Sequence, residues 1–143
     1  MACHYADLKP PFVSTSFSNP TARNEVTALV DGDEAMRAMY EAMDAAKKYI
    51  YIANWRMDTS VAMGRDETDP QGHTRVGRVL RKMAQNKKVD VRVMLYHSTL
   101  AVPLGEEKVL KDLEKAGIKC FSHRPSLTHS HHEKILIVDG KVA

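Results

Sequence analysis

Between Val26 and Val138 the chain alternates between two hydrophobic periods: the apolar runs of strands and the three-to-four-residue spacing of one-sided helices. This alternation is the strongest constraint on the fold. A chain that must bury a helical stripe after each strand has few solutions other than a sheet layered with helices. Val26-Thr-Ala-Leu-Val30 reads as a first strand, and Asp31-Gly-Asp-Glu34 supplies a carboxylate N-cap with a glutamate three residues on, as a capping box requires. Met36, Met39, Tyr40, Met43 and Ala46 then recur at helical spacing while Arg37, Glu41, Asp44 and Lys48 fall elsewhere, which predicts an amphipathic helix to about Lys48. The methionines are read as a core face rather than an adaptable binding surface, because they lie on the only face this helix can bury.

Tyr49-Ile-Tyr-Ile-Ala-Asn-Trp55 follows as a buried strand, and Arg56 to Gly72, with Gly64, Pro70 and many polar residues, as a loop. A second helix is expected over about Thr74 to Asn86, with Val76, Val79, Leu80 and Met83 inward. Its basic side, Arg75, Arg78, Arg81 and Lys82, is read as a solvated face. Val91 to Tyr96 is a third strand. A third helix lies within Pro103 to Ala116, with Val109, Leu110 and Leu113 inward and Gly117 at the C-cap position. Ile118-Lys-Cys-Phe121 gives a fourth strand and, after a loop from Ser122 to Ser130, His132 to Val138 a fifth. Asp139-Gly140 then turns the chain into a hairpin whose return begins at Lys141. The expected class is α/β, a mostly parallel or mixed sheet flanked by helices with an antiparallel edge.

A length of 143 residues suits one domain, and 43% hydrophobic with 27% charged residues is the balance of a globular chain. Residues 1–24, with Pro10, Pro11 and Pro20 among Ser, Thr and Asn, read as an extended lead-in, and no secretory pattern is visible at the start. The longest apolar runs, such as Ile135 to Val138, are too short to span a bilayer. A formal net charge of +3 favours anionic partners without marking a nucleic-acid binder. Cys3 and Cys120 form no redox or zinc spacing, and Cys120 reads as a small core residue. The compartment stays open.

The chemistry concentrates in His132-Glu-Lys134 and, beyond four apolar residues, Asp139. Alternation along a strand puts His132 and Lys134 on one side, where a phosphate can meet an imidazole nitrogen and an ammonium together. Phosphoryl transfer needs that combination: a nucleophile that is neutral near pH 7, and fixed positive charge on the non-bridging oxygens. Asp139, an odd number of positions from His132, falls on the other side of a regular strand. It is assigned an orienting role from the hairpin, its carboxylate bonding turn amides or a neighbouring base.

The pattern His-x-Lys-x4-Asp in its strand-and-DG-hairpin setting resembles the signature of the phospholipase D superfamily. The segment from Val26 to Trp55 is similar to the start of a catalytic half of that family. The resemblance implies that residues 25–143 are the first half of a bilobal enzyme, cut off after the motif hairpin. It also implies phosphodiester hydrolysis or headgroup exchange on phospholipids at a membrane surface, through a phosphohistidine. Carried onto this chain, His132 is nucleophile or general acid, Lys134 the phosphate clamp and Asp139 a further motif member. No metal or other cofactor is needed in that scheme. The second His-Lys pair must come from another half of a longer chain or from a second subunit, so this chain alone is expected to be inactive.

Three rival readings follow from the same residues. A homodimeric nuclease of the same superfamily also carries one motif per chain, though the long lead-in and the Arg56 to Gly72 loop look more like a two-motif lipid enzyme. A non-catalytic half-domain scaffold is disfavoured by intact His132 and Lys134. His129, His131 and His132, with His123, can be read as a zinc site, but no Cys or carboxylate stands at ligand spacing and neighbouring histidines on a strand face opposite ways. Trp55 is expected to cap the core rather than touch substrate. Arg56, His97 and Ser98, also at strand ends, are not assigned to catalysis.

Overall fold

The computed structural model describes residues 2–3, 26–64, 69–97, 105–124 and 132–142. It divides into two units, Met1–Asp31 and Gly32–Ala143. In the first, β1 (Ala2–Cys3) pairs antiparallel with β2 (Val26–Thr27). The expected strand Val26 to Val30 is therefore only two residues long and does not join the main sheet. Its apolar side chains explain why: Val26, Leu29 and Val30 are 48%, 44% and 73% exposed, so the run lacks the burial that would hold a longer strand in place. The rest of the predicted lead-in lies outside the described residues.

The second unit runs α1 (Asp31–Asp44), β3 (Tyr49–Asn54), α2 (Val76–Gln85), β4 (Asp90–Tyr96), α3 (Glu106–Glu114), β5 (Lys119–His123), β6 (Lys134–Val138) and β7 (Lys141–Val142). These strands form one five-stranded sheet in the order β5-β4-β3-β6-β7. β3, β4 and β5 are mutually parallel, while β6 runs antiparallel to β3 and to β7, so the sheet is mixed. The parallel crossovers through α2 and α3 lead away from β3 on one side, and β6 returns on the other.

Strand register sorts the side chains. Ile50, Val91 and Val138 lie level on one face, as do Ile52, Val93 and Leu136 one step on. That face meets Met43 of α1, Val79, Leu80 and Met83 of α2, and Leu110 and Leu113 of α3 in a single buried core. All three helices thus cover one face, as their stripes require. The other face carries Tyr49 stacked on Tyr51 at 4.6 Å, Arg92 over Tyr51 at 4.9 Å, and Phe121, 60% exposed.

The helices end where backbone chemistry stops them. Gly117, at φ +81°, supplies the left-handed turn after α3. α1 stops at Asp44, short of the expected Lys48, because the amides of Lys47, Lys48 and Tyr49 donate to the Asp139 carboxylate instead of to carbonyls one turn back. Between β6 and β7, Asp139 at φ +49° and Gly140 at φ +91° give the two successive left-handed residues of a tight hairpin.

Candidate active site

Antiparallel pairing brings the start of β6 to the carboxyl end of β3, with Asn54 level with Lys134. The strand begins at Lys134 and not at His132 as expected, although one more bond, from the Trp55 amide to the Glu133 carbonyl at 3.1 Å, carries the pairing beyond it. His132 therefore stands past the last rung of the ladder, at the edge where parallel α/β sheets hold ligands.

His132 and Lys134 are both exposed and turn toward each other, with Lys134 Nζ 3.0 Å from Nδ1 and 3.4 Å from Nε2 of the imidazole. An ammonium has three donors and no acceptor, so the ring nitrogen it faces offers a lone pair. A second bond, from Nζ to the His132 carbonyl at 3.4 Å, holds the ammonium over the turn. An anion arriving here meets a cation and a ring nitrogen within one hydrogen-bond radius.

Trp55 braces the other side of the imidazole, with ring centroids 4.7 Å apart at 45°. It is only half-buried, so it does not cap the core as expected; it stacks on His132 and carries the Arg56 guanidinium 5.5 Å from its own ring. The available signal was its place directly after β3, but the partner that gives that place meaning lies in the far half of the sequence.

Asp139 sits at the opposite end of β6. Its carboxylate accepts three amide hydrogens, from Lys47 at 2.8 Å and from Lys48 and Tyr49 at 2.9 Å, and its own amide donates to the Tyr49 carbonyl at 3.2 Å. The aspartate thus ties the hairpin to the junction of α1 and β3, the strand that positions Trp55. The Tyr49 amide, then that of Lys47, holds the Asp139 carboxyl below the ordinary carboxylate range.

Two other aspartates share this character. Asp69 is lowered to about 2, first by the hydroxyl and amide of Thr74. Asp90 is lowered to about 2, first by Arg92 and then by Lys119. A depressed folded pKa adds stability that is present above the unfolded value, near 3.8 for these groups, and lost as pH falls through the folded one. The urea midpoint is therefore expected to hold from pH 7 to about 5 and to fall steeply between about 4 and 2. Asp139→Asn, which keeps one acceptor for the Lys48 and Tyr49 amides but sets a donor against that of Lys47 and removes the charge, should lower the midpoint at pH 7 and flatten the acid limb. An unchanged acid limb in this variant would show that the three bonds contribute nothing.

His97, at the end of β4, turns to α3. Its Nδ1 lies 2.9 Å from Glu106 Oε1 but off the line of a hydrogen bond, and its amide donates to the His123 carbonyl at 2.8 Å. It does not meet His132 among the described contacts. Ser98, His129 and His131 lie outside the described residues, and with them two of the four histidines of the suspected zinc cluster. Among the described residues no group of three or more potential ligands converges.

A mixed sheet covered by helices on one face, with an imidazole, an ammonium and an indole gathered at a strand end, defines an α/β fold with an exposed His–Lys pair at its edge. Sequence comparison names its family: the phospholipase D family model matches residues 42–143, and the chain belongs to that family. It is 30% identical over 136 residues to phospholipase D C of Dictyostelium discoideum, covering 90% of this chain and 8% of that protein. The identity is 29% over 134 residues to phospholipase D B of the same organism, covering 90% of this chain and 11% of that protein. It is 23% over 121 residues to phospholipase D alpha 4 of Arabidopsis thaliana, covering 73% of this chain and 16% of that protein. The chain thus spans between 8% and 16% of the length of these relatives.

Proposed function

We propose that this chain contributes one half of a phosphodiesterase site that removes headgroups from phospholipids, by hydrolysis or by exchange with another alcohol, through a phosphohistidine. The observation that carries the reading is the exposed His132–Lys134 pair, 3.0 Å apart at the carboxyl end of β3. Family membership and the phospholipase names of the relatives support it.

In the ground state the ammonium occupies the imidazole lone pair. A phosphodiester draws Nζ onto its non-bridging oxygens and leaves that lone pair free to attack phosphorus. The nitrogen–phosphorus bond forms as the phosphorus–oxygen bond to the headgroup breaks, and the leaving oxygen takes a proton from a second imidazole. Water or an alcohol then attacks phosphorus, returning a proton to that second imidazole and the lone pair to His132. Trp55 keeps the ring from turning away during both steps. Asp139 acts at a distance, through the junction it ties.

The sequence holds one His-x-Lys-x4-Asp pattern, so the second imidazole comes from a further half in a longer chain or from another subunit. No helix among the described residues is long and apolar enough to cross a membrane. In this reading the phospholipid is met at a membrane surface. A homodimeric nuclease is the rival, favoured by the single motif, and a non-catalytic scaffold stands behind both.

The test is release of choline from short-chain phosphatidylcholine, run beside cleavage of single- and double-stranded DNA. The chain alone is expected to show neither. Joined to a half carrying a second His-Lys pair, it should release choline and form a phosphatidyl alcohol when ethanol is added. Sustained choline release by the isolated chain would overturn the half-site reading, and DNA cleavage without choline release would overturn the lipid one.

A further inference from the structure

A second anion site is built around the amino end of α2, apart from the His132–Lys134 pair. A cleft of about 350 Å³ opens there between the loop after Trp55 and the helix, lined by Thr59, Ser60, Gln71, Arg75, Arg78 and Arg81. That volume lies within the usual range for small-ligand sites, whose lower end is about 300 Å³. Spacing of three sets the arginines along one side of the helix.

The wall opposite the arginines is held by the helix itself. The Gly77 amide donates to the Thr59 carbonyl at 2.9 Å and the Val76 amide to the Val61 carbonyl at 3.0 Å. A side chain at Gly77 would come within 2.8 Å of Thr59 Cβ and 3.1 Å of its carbonyl, so glycine is what lets the loop lie this close. The leading amides of α2 are therefore engaged, and the cleft's attraction for anions comes from guanidinium groups, not from the helix end.

Those charges are largely unspent. Arg78 Nη1 donates to the Gln71 carbonyl at 2.9 Å, while the guanidinium groups of Arg75 and Arg81 make no hydrogen bond or ion pair among the described residues, Arg81 acting on Asp112 only through longer-range charge attraction. The nearest carboxylates in the sequence among those residues look elsewhere. Asp58 takes the amide and hydroxyl of Ser60 at 2.8 and 2.6 Å, and Asp69 takes the His73 and Thr74 amides and the Thr74 hydroxyl. Three guanidiniums converging on a concave site, with no carboxylate among its lining residues, focus positive potential into it. Guanidinium forks match tetrahedral phosphate oxygens two at a time, which favours phosphate over a small monovalent anion.

We propose that this cleft binds a phosphomonoester or pyrophosphate group, carried on a lipid headgroup or on a soluble compound, as a site separate from the catalytic edge. The two sources offer the same chemistry to the arginines, and the experiment separates them. Binding of inorganic pyrophosphate is measured by titration calorimetry on the His132→Ala/Lys134→Ala protein, so that anions bound at the catalytic edge do not contribute. Binding to phosphatidylcholine vesicles is measured with and without phosphatidic acid.

Pyrophosphate should bind, weaken with salt, and lose at least about tenfold in affinity in Arg75→Gln/Arg78→Gln/Arg81→Gln. The matched control, Lys108→Gln/Lys111→Gln/Lys115→Gln on α3, removes equal charge and should stay within about twofold. A phosphatidic-acid-dependent gain on vesicles, displaced by pyrophosphate, assigns the site to a lipid headgroup; pyrophosphate binding without that gain assigns it to a soluble phosphate. No pyrophosphate binding, or an equal loss in the α3 control, refutes the proposal while leaving the role of His132 untouched. The arginine variant should keep its far-ultraviolet circular dichroism and thermal midpoint, since Arg75, Arg78 and Arg81 are outside the core.

Discussion

His132→Gln is expected to lower choline release by on the order of 10⁴-fold or more, in protein that carries a complementary second half. Glutamine keeps a polar side chain of similar reach but has no nitrogen lone pair that can take phosphorus, so the covalent path closes while binding remains. Because His132 is exposed and lies past the end of β6, its loss costs little packing, and the fold should be unchanged by circular dichroism. The chain supplies its own reporter. Trp55 is the sole tryptophan and stacks on the imidazole at 4.7 Å, so its emission should change on phosphate binding in the parent and lose that response in His132→Gln. A variant that turns over within about tenfold of the parent would remove His132 from the chemistry altogether.

The same pair of residues shows how far sequence alone reaches. Periodicity located β3, α2, β4, α3 and β5 because each buries a stripe or an alternating face whose pattern is local. It overextended α1, because the aspartate that takes the amides of Lys47 to Tyr49 stands 90 positions beyond Tyr49. It also overextended β2, because Val26 to Val30 is apolar enough for a strand but is exposed, and among the described residues Ala2 and Cys3 pair with its first two positions alone. His132 and Lys134 were legible through their spacing of two, which survives even though the strand itself starts late. Trp55 was misjudged, since nothing in Asn54-Trp-Arg56 announces that an imidazole from the far half will rest on the indole. The arginine side of α2 was read as solvated for a related reason: the loop that turns it into a cleft wall is held by Gly77, and a lone glycine in a helix does not say what lies against it. Terminators, stacking partners and cleft walls are long-range facts, whereas stripes are short-range ones.

Lys134→Met should reduce turnover by about 10² to 10³-fold, a smaller loss than at His132 and of a different kind. Methionine preserves the length and apolar stem of the side chain at the first position of β6, level with Asn54, so the local pairing should hold. What disappears is the charge that neutralises the non-bridging oxygens as the nitrogen–phosphorus bond forms. That stabilisation grows toward the transition state, so the loss should fall mainly on kcat, with KM rising less. Lys134→Arg tests the same idea with charge retained, because a planar fork cannot approach both ring nitrogens as a compact ammonium does, and only partial recovery is expected. If Lys134→Met instead raised KM alone and left kcat in place, the lysine would be a docking contact for the lipid phosphate and the clamp assigned to it would have to be sought in the partner half.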